Sequence, residues 1–326
     1  MPDVVISEFM DEAAIKAGLA GLDVRYDPKL VDKPEELKAA LASARALIVR
    51  NRTKVDAALL EGAEKLTAIG RLGVGLDNID LDLCNSRDIA VYPATGANDV
   101  SVAEYVIGTA LFLLRGSYYA TFEVIAGRWP RDRLVQGREM SGKTLGLVGF
   151  GAIAQQVALR AAAMGMTVVA YDPHIPADAP AWDQPFGEVE RRDLDALLRS
   201  ADVVSLHVPL NAETRNLIDA TRLALLKRGA ILINAARGGV VDEAAVAQAL
   251  KENKLGGAAL DVFAEEPLPE NRGVVFGGAP NVILTPHIAG VTQEANARVS
   301  ALTAENIRKH LAEKREAPRE TEAASS

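Results

Sequence analysis

Short apolar runs recur along the chain, separated by stretches whose apolar residues fall three and four apart. Val4–Ile6, Leu22–Tyr26, Ala46–Val49, Leu66–Arg71 and Ile89–Val91 read as strands, with helical patterns at Glu35–Ala44 and Lys54–Gly62 among those between them. Asn98–Arg115 is a long apolar helix pattern suited to a buried packing helix. Tyr118–Trp129 continues as a mixed helix, and Arg128–Arg138 reads as a polar, exposed arm. Past Ser141 the alternation resumes: strand Leu145–Val148, helix Ala152–Met164, strand Thr167–Tyr171, helix Asp193–Arg199 and strand Val203–Val208. Helix Arg222–Leu226, strand Ala230–Asn234, helix Glu243–Glu252 and strands Ala258–Val262 and Val282–Leu284 follow. Such alternation predicts parallel sheets, the second doubly wound with about six strands. A final helix, Gln293–Leu311, returns to the first domain. The expected fold class is therefore α/β, with two domains that are each a parallel sheet covered by helices on both faces. Residues 1–97 form the first part of one domain, 98–290 the inserted domain, 291–312 the return helix, and 313–326 a charged, disordered tail.

The densest signal is TLGLVGFGAIAQQVALRAAAMGMTVVAYD, Thr144–Asp172. Gly149, Gly151 and Ala154 give the G-x-G-x-x-A spacing between a strand and a helix. The first glycine permits the tight turn, the second lets a pyrophosphate approach the backbone, and the small third residue lets the helix pack on the sheet. The helix N-terminus offers its amides to phosphate. Asp172 ends the next strand, roughly twenty residues on, where a carboxylate accepts from ribose hydroxyls. Strand, turn, helix, strand and acid in this order predict a dinucleotide site. Asp172-Pro173-His174 offers no arginine for a 2'-phosphate, so the cofactor is NAD rather than NADP.

Composition narrows the function. The 326 residues suffice for two domains, and 49% hydrophobic with 25% charged residues is the balance of a globular protein. A formal net charge of -8 disfavours a nucleic-acid partner. The single Cys84 excludes an internal disulfide and reads as a small buried apolar residue. Met1-Pro2-Asp3 leads straight into a strand without a basic or apolar signal segment, and no apolar stretch is long enough to span a bilayer. A cytoplasmic enzyme without a membrane partner or a metal is expected.

Three more stretches follow the fingerprint in order: NAARGGVVDE (Asn234–Glu243), ALDVFAEEPL (Ala259–Leu268) and LTPHIAG (Leu284–Gly290). With RLGVGLDNID (Arg71–Asp80) and NDVSVAEYV (Asn98–Val106), they resemble the D-isomer-specific 2-hydroxyacid dehydrogenase family over nearly the whole chain. That family includes 3-phosphoglycerate, glyoxylate/hydroxypyruvate, D-lactate, sulfolactate and formate dehydrogenases, and the C-terminal-binding corepressors. The resemblance implies a Rossmann-type cofactor domain inserted in a flavodoxin-like substrate domain. It makes Arg237 the substrate-orienting arginine, His287 the catalytic base and Glu266 its carboxylate partner. Ala152, Ile153, Asp172, Val208, Ala235 and Asp261 fall at cofactor positions beside Gly149 and Gly151. Val74 and Gly75 lie in the loop that holds the substrate carboxylate, and Val74 also counts as a cofactor contact. A homodimer through Asn98–Arg115 and the arm around Trp129 is implied as well.

The residues carry a chemical argument of their own. Oxidising a 2-hydroxy acid needs a base on the hydroxyl, a clamp on the carboxylate and an acceptor over C2. Of four histidines, His310 lies in the charged last helix and reads as solvated, and His174 could at most line the adenosine site. His207 ends a strand, where it lines the cofactor crevice or merely packs. His287 follows a strand and Pro286, at a carboxyl edge where open α/β sheets bind ligands. Arg237 follows the strand ending at Asn234 and can hold a carboxylate while polarising the C2 oxygen. Between Glu265 and Glu266 only the motif register chooses. Gly73 and Gly75 flank Val74 after a strand, as in an anion-binding nest or an ordinary tight turn.

Arg50, Arg52 and Arg71 follow strands of the first domain. Three arginines at one carboxyl edge suit a second anion on the substrate; scattered surface arginine is the plainer alternative. The opening VVISEFMDE, the VRNRT run and RLGVGLDNID look most like the sulfolactate members of the family, and the phosphoglycerate members resemble the chain here in having an arginine after the corresponding strand. No regulatory domain follows the last helix here, unlike many phosphoglycerate enzymes, which favours (S)-3-sulfolactate/sulfopyruvate. 3-Phosphoglycerate and glyoxylate/hydroxypyruvate are the alternatives, and an NAD-sensing corepressor-like binding protein is the reading of another class. The cofactor argument predicts that the wild type prefers NAD, and that Asp172→Ala narrows the ratio of kcat/KM for NAD over NADP. A wild type preferring NADP, or a variant of unchanged selectivity, contradicts it.

Overall fold

The computed structural model describes residues 2–316. The described residues divide into two compact units, 2–98 with 292–316, and Asp99–Val291.

The first unit holds strands β1 (Val4–Ile6), β2 (Val24–Tyr26), β3 (Ala46–Val49), β4 (Ala68–Arg71) and β5 (Ala90–Pro93). They pair entirely in parallel, in the order β2-β1-β3-β4-β5. That is the flavodoxin-type order. Alternation along each strand divides the core in two. Val5, Leu47, Val49 and Ile69 pack with Leu37, Leu41, Leu60 and Cys84 on one face. Val4, Ile6, Ala46, Ile48 and Ala68 pack on the other with Val299, Ala304, Ile307 and Leu311 of the closing helix, Gln293–Glu316. Gly70 on β4 makes that approach possible, since a Cβ there would lie 2.7 Å from Thr303 Cγ2.

Three expectations for this unit change. The helix read at Lys54–Gly62 shrinks to Ala57–Leu60: Val55 is drawn into a parallel bridge with Ile79, and the Asp56 side chain caps the first turn through Leu59 N. The closing helix runs to Glu316, so four residues assigned to the tail are helical; residues 317–326 lie outside the described residues. His310 is not solvated but 7% exposed. Its Nδ1 lies 3.0 Å from Tyr92 Oη and its Nε2 3.1 Å from Thr67 Oγ1, and burial pulls its pKa below the ordinary histidine value.

The second unit holds β6 (Thr144–Val148), β7 (Thr167–Tyr171), a small antiparallel hairpin of β8 (Asp183–Gln184) and β9 (Gly187–Glu188), then β10 (Glu190–Arg191), β11 (Val203–Leu206), β12 (Ala230–Asn234), β13 (Leu255–Leu260) and β14 (Val282–Leu284). Seven strands pair in the order β10-β7-β6-β11-β12-β13-β14, all parallel. The chain reverses winding at β6, so the switch point of this doubly wound sheet lies beside β6 and β11. On one face Leu145, Leu147, Val203, Ile231 and Ile233 pack with helices Asp99–Arg115 and Ala152–Ala163 through Ala103, Val106, Ala110, Ala154, Val157 and Ala161. On the other face Val204, Leu206, Leu232 and Leu260 pack with Leu197, Leu198, Val246 and Leu250.

β10 and the hairpin escape a hydrophobic reading because they are two residues each and mostly exposed. β13 begins three residues earlier than its apolar run, at Leu255-Gly256-Gly257. The glycines suit close backbone approach there, since a Cβ on Gly256 would overlap Gly229 O. The mixed segment after Arg115 is a 3-10 turn at Ser117–Ala120 and a short helix, Thr121–Ile125, and the arginine-rich arm contains the helix Arg131–Leu134. No single helix among the described residues is long and apolar enough to cross a membrane; Asp99–Arg115 with the bent Ser117–Ile125 passes by composition, but the longer helix buries its apolar face in the core.

Candidate active site

Because the seven strands are parallel, the segments after β6, β7, β11, β12, β13 and β14 emerge at one edge of the sheet. The fingerprint leads. Gly149 has φ +88, and a Cβ there would lie 2.5 Å from His207 O and 3.1 Å from Val208 Cγ1. Gly151 is the N-cap of helix Ala152–Ala163 and carries no side-chain cap. A Cβ on Gly151 would meet nothing within 4 Å. That open space in front of Ala152, Ile153 and their helix N-terminus fits a dinucleotide pyrophosphate. Asp172 follows β7; its Oδ2 accepts from Phe150 N at 2.9 Å and its Oδ1 from His174 N at 2.9 Å. Asp172 thus ties the fingerprint turn to the next strand. His207 at the end of β11 bonds Ser205 Oγ at 2.9 Å, and burial pushes its pKa down to about 4, so it stays neutral near neutrality.

Beyond β12, buried Asn234 shapes the turn that carries Ala235 and Arg237. Its Nδ2 donates to Arg237 O at 2.9 Å and its Oδ1 accepts from Ala236 N at 3.1 Å. The Arg237 guanidinium donates to Ala236 O at 2.7 Å. Gly238 runs against the next loop, where a Cβ would overlap Phe263 O. That loop presents Glu266, whose Oε1 accepts from Phe263 N at 2.9 Å and whose Oε2 meets His287 Nδ1 at 2.7 Å. Burial acts to raise the Glu266 pKa, but the bonds from His287 and Phe263 and the charge of Arg237 hold it below the ordinary carboxylate value. Glu265 points elsewhere, 3.8 Å from Arg272.

His287 has φ +55, an uncommon conformation for a non-glycine residue. Asp261, 1% exposed, surrounds it with bonds. Asp261 O accepts from His287 N at 2.7 Å, Oδ1 from Ile288 N at 2.9 Å and Thr285 Oγ1 at 2.6 Å, and Oδ2 from Ala289 N at 2.8 Å. An apolar-strand reading has no means of finding these roles: Asn234 acts on the backbone of its own turn, and Asp261 on a loop more than twenty residues away.

In the first unit, Arg50 and Arg71 stand at the carboxyl ends of β3 and β4, and Gly73, Val74 and Gly75 form the turn after β4. Glu8, buried behind β1, organises the arginine loop: it accepts from Arg50 N and Thr53 N at 2.9 Å each and from Arg52 N at 3.1 Å. The Arg50 guanidinium bonds Asn296 Oδ1 at 2.7 Å and lies 6.0 Å from the Phe9 ring centroid. Arg71 Nη1 donates to Leu72 O at 2.8 Å and lies across Gly73, whose φ is +142. Arg52 instead pairs with Asp32 on the exposed surface.

The lowered Glu266 pKa has a stability consequence. A carboxylate depressed in the folded state stabilises above its unfolded pKa of about 4.3, and that contribution is lost as pH falls through the folded value. Glu266→Gln is therefore expected to melt below the wild type near pH 7 by a gap that narrows as the pH falls below the unfolded carboxylate value of about 4.3. A gap constant across that range contradicts the assignment.

Residues 107–289 match the family model described as D-isomer specific 2-hydroxyacid dehydrogenase, NAD binding domain. The chain is 54% identical to the (S)-sulfolactate dehydrogenase of Chromohalobacter salexigens, over 95% of this chain and 99% of that one. It is 43% identical to the D-3-phosphoglycerate dehydrogenase of Methanocaldococcus jannaschii, over 85% of this chain and 52% of that one. The D-lactate dehydrogenase of Aquifex aeolicus, crystallised with NAD and lactic acid, superposes with a TM-score of 0.81 at 29% identity, over 96% of each chain. With the family model covering more than half its length and a full-length relative above half identity, the chain belongs to the D-isomer-specific 2-hydroxyacid dehydrogenases and is an NAD-dependent oxidoreductase acting on the CH-OH group of a 2-hydroxy acid.

Proposed function

We propose that the substrate is a 2-hydroxy acid with a second anionic group, (S)-3-sulfolactate, oxidised to sulfopyruvate. The observation that carries the chemistry is the 2.7 Å contact between His287 Nδ1 and Glu266 Oε2. A carboxylate only accepts, so Nδ1 carries the proton and Nε2 presents a lone pair. Nε2 takes the hydroxyl proton, and Glu266 stabilises the imidazolium that results. Arg237 binds the substrate carboxylate, with the Gly73-Val74-Gly75 backbone as a second holder. NAD, when bound, accepts the hydride from C2. Ala152, Ile153, Val208 and Ala235 contact the cofactor in this reading, and Asp172 binds its ribose.

The sulfonate is assigned to Arg50 and Arg71, with Arg52 the weaker member because Asp32 already engages it. The similarity to a sulfolactate enzyme over 99% of that chain supports this choice over 3-phosphoglycerate and hydroxypyruvate. The corepressor-like alternative has no observation in its favour. A homodimer belongs to the proposal: Phe122, Ile125 and Trp129 are 82%, 77% and 78% exposed, apolar area that a second copy would cover. A cytoplasmic setting is proposed with it, since NAD is drawn from the intracellular pool.

The test is a panel of kcat/KM values with NAD for both enantiomers of sulfolactate, 3-phosphoglycerate, D-lactate and D-glycerate. The D configuration is named S in sulfolactate, because the sulfur-bearing carbon outranks the carboxyl, and R in phosphoglycerate. (S)-Sulfolactate is expected to lead. His287→Gln should lower turnover at least about a hundredfold with NAD affinity nearly intact. Arg50→Ala or Arg71→Ala should lose roughly ten- to hundredfold on the dianions and little on D-lactate. Equal loss on D-lactate makes the arginines structural, and near wild-type turnover in His287→Gln removes it as the base. Light scattering should give twice the chain mass, and Trp129→Glu with Phe122→Glu the monomer.

A further inference from the structure

We infer that Tyr105 and Thr285 are positioning residues for His287, acting through a hydroxyl relay that ends on the buried carboxylate of Asp261. The inference rests on the reading of His287 as the base. Tyr105 lies on the helix Asp99–Arg115, and its Oη is 2.7 Å from Thr285 Oγ1. Thr285 Oγ1 in turn donates to Asp261 Oδ1 at 2.6 Å. A hydroxyl has one proton, and Thr285 commits its own to the carboxylate, so Tyr105 must be the donor in the first bond. The direction of the relay is thereby set: Tyr105 to Thr285 to Asp261.

Asp261 is the hub because its remaining bonds bracket the base. Its carbonyl holds His287 N, and its carboxylate holds Ile288 N and Ala289 N. The Thr285 hydroxyl is the anchor on the other side of His287, two residues before it. His287 sits at φ +55, a conformation that persists where the surroundings over-determine it. Burial, with the nearby Asp261 charge adding to it and the Thr285 bond opposing, raises the Tyr105 hydroxyl to about 12. Tyr105 therefore remains a proton donor across any working pH. Neither Tyr105 nor Thr285 is assigned to substrate or cofactor above, and the relay gives the half-buried tyrosine hydroxyl a partner.

The test uses the full chain with Thr285→Val, Thr285→Ser and Tyr105→Phe, and His287→Gln alongside. Thr285→Val should lower kcat by about ten- to hundredfold, the scale of a misplaced catalytic group, while KM for NAD stays within about threefold. Thr285→Ser keeps the hydroxyl and should restore kcat. Tyr105→Phe should lower it by a smaller factor. Hydrogen exchange of the peptide spanning 284–291 should quicken in Thr285→Val and Tyr105→Phe and remain slow in Thr285→Ser. Unchanged exchange in Thr285→Val, or quickened exchange with wild-type kcat, overturns the inference. So does a serine variant that fails to recover, because the effect then follows from the lost methyl and not from the hydroxyl. Retained turnover in His287→Gln would instead sink the base assignment, and the exchange data would still report whether the relay holds the loop.

Discussion

Parallel pairing is the constraint on which the molecule depends. Within each unit every strand of the main sheet runs the same way, so each following segment leaves from the same edge. In the larger unit, that geometry brings Gly149, Asp172, Val208, Arg237, Asp261 and His287 to one side although they span more than a hundred residues of sequence. Helices supply the return path and bury the strands on both faces, which is why these strands read as continuous apolar runs and not as alternating ones.

Sheet direction alone places a loop only approximately. The finer placement comes from buried polar side chains that bond backbone groups of their own or a neighbouring loop. Asp261 holds the His287 turn, Asn234 the Arg237 turn and Glu8 the Arg50–Thr53 loop. In each case a buried polar group would be costly without partners, and the otherwise unpaired amides of an irregular loop supply them. The device works because both sides of the bond need it. It also ties each of these loops to a residue at or just past a strand end.

Charge is arranged with similar economy. Glu266 lies where burial would favour its neutral form, yet His287, Phe263 N and Arg237 outweigh that tendency. A carboxylate that stays ionised beside the imidazole sets the tautomer before any substrate arrives. His207 shows the opposite treatment: half-buried beside Ser205, it is held neutral. Two histidines at the same sheet edge therefore differ in role through their neighbours.

By itself the sequence determined the fold class, the doubly wound alternation, the fingerprint and the order of the motifs. These are local properties: apolar runs of strand length, the glycine spacing at Gly149 and Gly151, and the acid at Asp172 are all readable within a short window. It also brought out His287, because a residue after a strand of a parallel sheet has to lie at the ligand edge. Tertiary structure decided what depends on distant partners. Motif register alone favours Glu266; contact geometry gives the physical difference, with Glu266 on the histidine and its neighbour Glu265 on Arg272. Only packing shows that His310, in a charged helix, is buried against Tyr92 and Thr67, and that Arg52 turns to Asp32. The Tyr105–Thr285–Asp261 relay lies beyond any local reading, since its first bond joins residues 180 apart in sequence and its meaning comes from the proton that Thr285 has already given to a buried carboxylate.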